Sequence, residues 1–428
     1  MREQLPKVRT WAAKLGLVIA SLAIGAGLVE MLARREAARL SSAINSHGEL
    51  VRYSPTLGWD KPPGEETVYL QSEYQVIFHV NSRGLRGPER EYGKAPGVTR
   101  VLLLGDSFVE GYTVGEEALV STVLEARLNA SSGSPYEVIN GGTHGYGTDQ
   151  EYLFFLEEGR RYQPDVVVLF FYSNDLLDNL PSAHKPFFEE QGDGLVLRNS
   201  PVPPPPAGKM VRRPTYSRRG LKPFRGSYAL RLLGSRIENA SPRLQRLLAH
   251  WGVVEAASQE EDDVPARLLP YGGREYGPQK KKMWRPTFAL IEALANAVRA
   301  AGARLVVFYV PARFEVNDAA WELTLARWNM DAPGWRADRV FLVLQEGCGE
   351  RGIELVDPRA ALRLAEGSGQ SAYFVADPHW SEAGHRIAAE VLMPVLTAAP
   401  ATRRAPPLEG SQARHDASPR AGEGHLRE

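Results

Sequence analysis

Two short segments, far apart in the chain, carry residue types that together could transfer an acyl group. The first is Val101-Leu102-Leu103-Leu104-Gly105-Asp106-Ser107-Phe108, four strand formers that run into Gly-Asp-Ser. An apolar run of this kind reads as a buried strand of a parallel sheet, and ligands of such sheets sit beyond the strands' carboxyl ends. Ser107 stands at that end as a candidate nucleophile, although a turn with an N-cap would use the same residues. The second segment is Asp377-Pro378-His379-Trp380, near residue 380 of 428. A hydroxyl nucleophile needs a base to take its proton, and the base needs a carboxylate on its other ring nitrogen to hold the tautomer and steady the imidazolium. Residues two apart in an extended loop project to the same side, so Asp377 can reach the imidazole of His379. Among the nine histidines, His385 instead falls in the amphipathic pattern Ala383, Ile387, Ala388, Val391, Leu392 and Val395, and reads as structural. His415 and His425 lie in a polar tail.

Acyl transfer also requires donors placed where negative charge develops on oxygen. Tyr136-Glu137-Val138-Ile139-Asn140 reads as a second strand, followed by Gly141-Gly142-Thr143-His144-Gly145, where glycine lets a backbone N–H approach a ligand. Asp165-Val166-Val167-Val168-Leu169-Phe170-Phe171-Tyr172 is a third, and it delivers Ser173-Asn174-Asp175 at its end. A glycine turn and an asparagine cap would explain Gly145 and Asn174 singly. Three successive strand ends offering serine, glycine and asparagine, with Asp-x-His at a later one, point to a shared site.

These residues resemble the SGNH, or GDSL-type, serine hydrolases, whose four blocks contribute Ser, Gly, Asn and His in that order, here Ser107, Gly145, Asn174 and His379. The resemblance implies Ser107 as nucleophile and first oxyanion donor, Gly145 and Asn174 as further donors, His379 as general base and Asp377 as its orienting acid. Asp106 and Trp380 are candidates for substrate contact, with core packing as the other reading of Trp380. Block three has Ser173 where a glycine is common. Asp-Pro-His-Trp replaces the more frequent Asp-x-x-His and is similar to the acetyltransferase-like branch of alginate and other exopolysaccharide machinery. The resemblance covers about residues 99–180 and 286–396. It implies an esterase acting on O-linked acyl groups, with acetyl on a sugar first, and with a polysaccharide O-acetyltransferase and a non-catalytic glycan-binding protein as alternatives. Expected substrates are an acylated sugar, a lipid or a small ester. Neither a cofactor nor a metal is expected.

The elements that must position these residues follow from pattern. Strands at 100–104, 136–140, 165–172, 303–310 and 353–357 alternate with helices near 117–129, 148–161, 286–301, 335–347 and 381–396. That alternation predicts an α/β fold, a flavodoxin-like three-layer sandwich around a parallel sheet, with the strand ends on one rim. Around this core the chain divides into an N-terminal segment (1–35), a β-rich appendage (36–98), core halves at 99–180 and 286–397, an insertion (181–285) and a disordered tail (398–428). The appendage carries the turn Asn81 to Gly87, with Arg83 and Arg86, read as packing. The insertion holds Pro203 to Pro206, a basic run from Lys209 to Arg225 and an acidic run from Glu260 to Asp263.

Residues 11–33 are apolar and follow Arg2, Lys7, Arg9 and Lys14, the signature of a membrane anchor with a cytoplasmic N-terminus, which would place the enzyme in the periplasm. Leu15 to Val29 is short against the roughly 20 residues a spanning helix needs, so a cleaved signal peptide is the alternative. Lys plus Arg equal Asp plus Glu at 51 each, which gives no global field for nucleic acid. Cys348 is the single cysteine, so no internal disulfide framework exists.

Overall fold

In a computed structural model the chain is described at residues 50–70, 73–192, 194–205, 266–272, 278–328, 330, 332–374 and 377–398, and at 14, 16–18, 20–22, 24–32 and 35. The strands in chain order are β1 (Arg52–Ser54), β2 (Gly58–Asp60), β3 (Glu66–Leu70), β4 (Gln75–His79), β5 (Thr99–Leu104), β6 (Tyr136–Asn140), β7 (Val166–Tyr172), β8 (Phe187–Gln191), β9 (Gly194–Arg198), β10 (Arg304–Val310) and β11 (Glu354–Val356). Five of them form one sheet in the order β11-β10-β7-β5-β6, and all four pairings are parallel.

The side chains of these strands alternate strictly between two cores, because successive residues of a strand face opposite ways. Leu102, Leu104, Val167, Leu169, Phe171, Val307 and Tyr309 pack on one face with Phe155, Ile291 and Leu344. Val101, Leu103, Val166, Val168, Phe170, Val306 and Phe308 pack on the other with Leu124, Leu362 and Leu392. The first face is covered by helices Thr148–Glu157, Pro278–Ala300 and Arg339–Glu350, the second by Val120–Ser131, Arg359–Gly367 and Glu382–Thr397. This is the three-layer arrangement that continuous apolar strands demand, since a parallel sheet is stable only with both faces buried.

The strand order reverses between β5 and β7. Chains leaving these two strands turn to opposite faces and open a crevice at their carboxyl ends, which is where ligands of open α/β sheets bind. Ser107 follows β5 and Asn174 follows β7, so the two candidates flank that point. Ser107 opens the four-residue helix Ser107–Glu110, which Asp106 caps by accepting the Phe108 N–H at 2.9 Å. The turn after β6 lies against it: Thr143 N–H donates to the Gly105 carbonyl at 3.0 Å. Gly142 is needed there, because a Cβ at this position would stand 2.4 Å from the Glu110 nitrogen.

The appendage is built from the hairpins β1-β2 and β3-β4, and it reaches into the core. Arg86, 1% exposed, donates to the Glu110 carbonyl at 3.0 Å, to that of Val114 at 2.6 Å and to that of Gly111. Lys61 is equally buried and donates at 2.6 Å to both the Gly142 carbonyl and the Thr143 hydroxyl. The turn arginine Arg86 is thus a packing residue, as expected.

Described residues between Lys14 and Arg35 are helical, with Leu17, Leu22 and Ile24 exposed. Among the described residues no helix is long and apolar enough to cross a membrane, so the expected span at 11–33 is not found. Of the insertion, the structure describes the hairpin β8-β9 and the short helix Ala266–Tyr271. Its basic and acidic runs, and the tail beyond Ala398, lie outside the described residues.

His385 occupies the buried face of helix Glu382–Thr397, where Nδ1 accepts the Val120 N–H at 3.3 Å. Burial, then the charges of Arg86 and His379, push its pKa down to about 3. An exposed imidazole takes its proton near pH 6.5, so between about 6.5 and 3 the unfolded chain binds a proton that the folded chain refuses. Stability contributed here is present above that window and is lost as the pH falls through it. His385→Gln, which keeps an acceptor for Val120, should lower the pH dependence of the unfolding free energy by about one proton between pH 6 and 4. Denaturant titrations at a series of pH values would read this, and an unchanged slope would show that His385 titrates normally.

Candidate active site

Ser107 Oγ lies 2.7 Å from His379 Nε2, and His379 Nδ1 lies 2.5 Å from Asp377 Oδ1. The three side chains therefore form one continuous hydrogen-bonded line from hydroxyl to carboxylate, across 272 residues of sequence. Asp377 Oδ1 also accepts the His379 N–H at 3.0 Å, so the loop closes on itself and presents the ring with Nδ1 toward its own acid. The local reason is Trp380. It is fully buried, pairs with Tyr373 in an isolated antiparallel bridge and is edge-on to Phe108 at 5.1 Å. That anchor holds His379 over the turn that carries Ser107, while Phe108 lies 4.8 Å from the imidazole, centroid to centroid.

Trp380 is accordingly a packing residue, and with no exposed surface it offers no wall to a ligand. Asp106, 1% exposed, is likewise committed internally, to the Phe108 N–H and to the Asn174 amide. Neither expected substrate contact is available in this structure. Ser107 is 7% exposed, and the side chains of His379 and Asp377 are 14% and 20% exposed, which leaves the reacting edge of the line open.

Gly145 lies in the turn after β6 with φ of +70°, a left-handed conformation that favours glycine. Its neighbour His144 gives its carbonyl to the Trp59 indole N–H at 3.0 Å. Asn174 precedes the helix Asp175–Asp178, and its Nδ2 donates to Asp106 Oδ2 and to Asp178 Oδ2, both at 3.0 Å. Both amide hydrogens are thus engaged by carboxylates. Behind them sits a buried acidic group of Asp149, Glu151 and Asp175, with Lys185 donating to Asp149. Burial, together with the neighbouring carboxylate charges, raises Glu151 and Asp175 well above the usual carboxylate range. Among the described residues no cluster of His, Cys, Asp or Glu has the geometry to hold a metal ion.

Asp377 is subject to opposing effects. Burial acts to raise its pKa, but the hydrogen bond and charge of His379 and the hydroxyl of Tyr74 carry it below the ordinary value. The Tyr74 hydroxyl donates to Asp377 Oδ2 at 3.0 Å, and Glu73 accepts the Asp377 N–H at 3.1 Å. The Tyr112 hydroxyl lies 3.2 Å from His379 Nδ1. Sequence reasoning did not find these three residues. Tyr112 follows the nucleophile helix by a few residues and was within reach of inspection, but Glu73 and Tyr74 belong to a hairpin whose pattern says only that it pairs.

Residues 271–426 match the family model described as an SGNH hydrolase-like domain of the acetyltransferase AlgX. That span contains the Asp377 and His379 block and not Ser107, Gly145 or Asn174. No curated protein matches the chain. Among solved structures it overlaps a lipase/acylhydrolase from Enterococcus faecalis at 13% identity, covering 70% of this chain and 95% of that one with a TM-score of 0.35. An acetyl xylan esterase, AlAXEase, overlaps at 13% identity, 69% and 99% coverage and a TM-score of 0.35. An acetylxylan esterase from Geobacillus stearothermophilus, a catalytic mutant of Axe2, gives 13%, 70% and 94% with a TM-score of 0.36. Over residues 271–426 the chain is thus similar to an SGNH hydrolase-like acetyltransferase domain, and it carries a five-stranded parallel sheet.

Proposed function

We propose that this protein is a serine esterase that acts on O-linked acyl esters, acetyl first, through Ser107, His379 and Asp377. The observation that carries the reading is the unbroken line from Ser107 Oγ to His379 Nε2 and from Nδ1 to Asp377. In the first step Ser107 Oγ bonds to the ester carbonyl carbon while His379 Nε2 takes its proton. The tetrahedral intermediate then expels the alcohol, which leaves with the proton from His379. Water repeats the sequence: His379 takes its proton, the carboxylic acid departs and Ser107 Oγ is reprotonated. Charge on the carbonyl oxygen would be met by the N–H groups of Ser107 and Gly145 and by the Asn174 amide, which must exchange one of its carboxylate partners for the oxyanion.

A second reading, acetyl transfer to a sugar hydroxyl, is favoured by the acetyltransferase description of the matching family. The same residues serve it, with the sugar hydroxyl in place of water. We place the catalytic domain outside the cytoplasm. Support for this comes from the cationic residues ahead of residues 11–33 and the exposed apolar side chains of the helical residues there.

Ser107→Ala should abolish release of acetate from an aryl acetate and abolish labelling by a fluorophosphonate. Turnover within a few-fold of the parent would overturn the assignment. The same preparation, given an activated acetyl ester and a panel of oligosaccharides, separates the two readings: acetylated sugar that disappears in Ser107→Ala establishes transfer, and acetate alone with every acceptor establishes hydrolysis. Asn174→Ala should reduce kcat roughly 100- to 1000-fold, the cost of one oxyanion donor, about 3 to 4 kcal/mol. A rise in KM with kcat unchanged would restrict Asn174 to substrate binding. An alkaline phosphatase fused after residue 60 should be active in a bacterial host, and an inactive fusion would reverse the placement.

A further inference from the structure

We infer that Tyr74 is a positioning residue that keeps His379 in the tautomer able to accept the Ser107 proton, and that it does so against competition from Tyr112. The inference rests on the proposed role of Ser107 and His379 and adds a constraint from outside the core. To take a proton at Nε2, His379 must carry its own hydrogen on Nδ1, and that hydrogen goes to Asp377 Oδ1 at 2.5 Å. Two phenols stand at this junction. Tyr74 donates to the other oxygen of Asp377 at 3.0 Å. Tyr112 places its hydroxyl 3.2 Å from Nδ1 itself.

The two hydroxyls act in opposite senses. Tyr74 at Oδ2 and the His379 N–H at Oδ1 hold the carboxylate at both ends, while Glu73 holds the Asp377 backbone N–H at 3.1 Å, and Nδ1 has an acceptor in front of it. If Asp377 withdrew, the nearest polar group to Nδ1 would be the Tyr112 hydroxyl, which can donate. A donor there favours the ring with Nδ1 bare and hydrogen on Nε2, since the hydrogen bond made by one nitrogen sets which nitrogen is protonated. That ring cannot accept a proton from Ser107. Burial, then the Asp377 charge, raise the Tyr74 phenol, and the same two causes raise Tyr112, so both remain donors through the neutral range. The rings are also braced: Tyr74 lies 5.1 Å from Phe374 and 6.2 Å from Tyr112, centroid to centroid. Removing a hydroxyl therefore leaves the aromatic packing in place.

The test is a cycle of Tyr74→Phe, Tyr112→Phe and the double variant, each measured for the rate of fluorophosphonate labelling, for kcat and KM on an aryl acetate, and for the nitrogen-15 shifts of the His379 ring, identified by their loss in His379→Gln. Tyr74→Phe should lower the labelling rate and kcat roughly 10- to 100-fold with little change in KM, as expected for loss of a hydrogen bond to a charged group. Its His379 signals should move toward the Nε2–H form. Adding Tyr112→Phe should restore at least a third of the lost logarithm of rate and return the signals toward Nδ1–H, a rescue that a residue serving only to hold the fold would not give. Parental labelling and parental shifts in Tyr74→Phe, or a double variant no better than the single one, would overturn the inference while leaving the role of Ser107 standing. Labelling that survives Ser107→Ala would overturn the proposed function, and the ring shifts would still report on the tautomer.

Discussion

The whole arrangement depends on one hydrogen bond, the 2.7 Å contact between Ser107 and His379. A hydrogen bond of this length tolerates little displacement of either atom, and the two residues arrive by unrelated routes. Ser107 leaves β5 in the middle of the sheet. His379 comes from a loop that runs from the end of helix Arg359–Gly367 to the start of helix Glu382–Thr397. The fold reconciles them by burying Trp380 completely against Phe108, Phe170 and Phe308, so that the loop carrying His379 and the turn carrying Ser107 share one hydrophobic support. Rigidity of the Ser107–His379 pair is thus a property of the core beneath it.

Buried charge performs the same service for the backbone. Lys61, Arg86 and Arg100 are each about as buried as the core leucines, and each donates to carbonyls: Gly142 for Lys61, Glu110 and Val114 for Arg86, Tyr92 and Tyr162 for Arg100 at 2.8 Å, while Arg100 Nε also pairs with Glu137 at 2.6 Å. Turns at a sheet rim leave carbonyls that no ladder satisfies, and a long cation reaches several of them at once. Glu315, held near pKa 7 by burial against the donors Tyr309, Tyr271 and the Ala312 N–H, does the reverse for donors beyond β10. On the opposite side of the nucleophile turn the acidic group is undercompensated, with Lys185 the cation that donates into it. Neither oxygen of Glu151 meets a donor among the described residues, and burial, then the charges of Asp106, Asp149 and Asp178, raise its pKa.

The sheet was legible because its strands are continuous apolar runs with a glycine or polar residue at each end. Every predicted strand of the central sheet lies within one residue of the observed one at either end, as with 165–172 against Val166–Tyr172 and 353–357 against Glu354–Val356. Helices were harder. Asp318–Arg327 and Arg359–Gly367 were missed, the first because it has no clear apolar face and no buried residue. The helix expected near 286–301 begins earlier, at Pro278. Of the candidate site residues, the spacing Asp-x-His pointed to the contact between His379 and Asp377 because a single loop holds both. Tyr74, Glu73 and Lys61 were not legible, since each meets its partner across tens to hundreds of residues and no local pattern encodes such a meeting. Trp380 was balanced between wall and core because a sequence does not say which side of a loop faces inward.

The appendage supplies no strand to the central sheet, and a division of the chain by architecture alone would set it aside as an accessory. Yet its side chains close the carbonyls of Glu110, Val114 and Gly142 around the Ser107 turn and hold the far oxygen of Asp377. A chain that began at residue 99 would keep the whole central sheet and lose all four of these contacts. The hairpins are therefore internal braces of the sheet's rim, and removing them would loosen a site to which they contribute no strand.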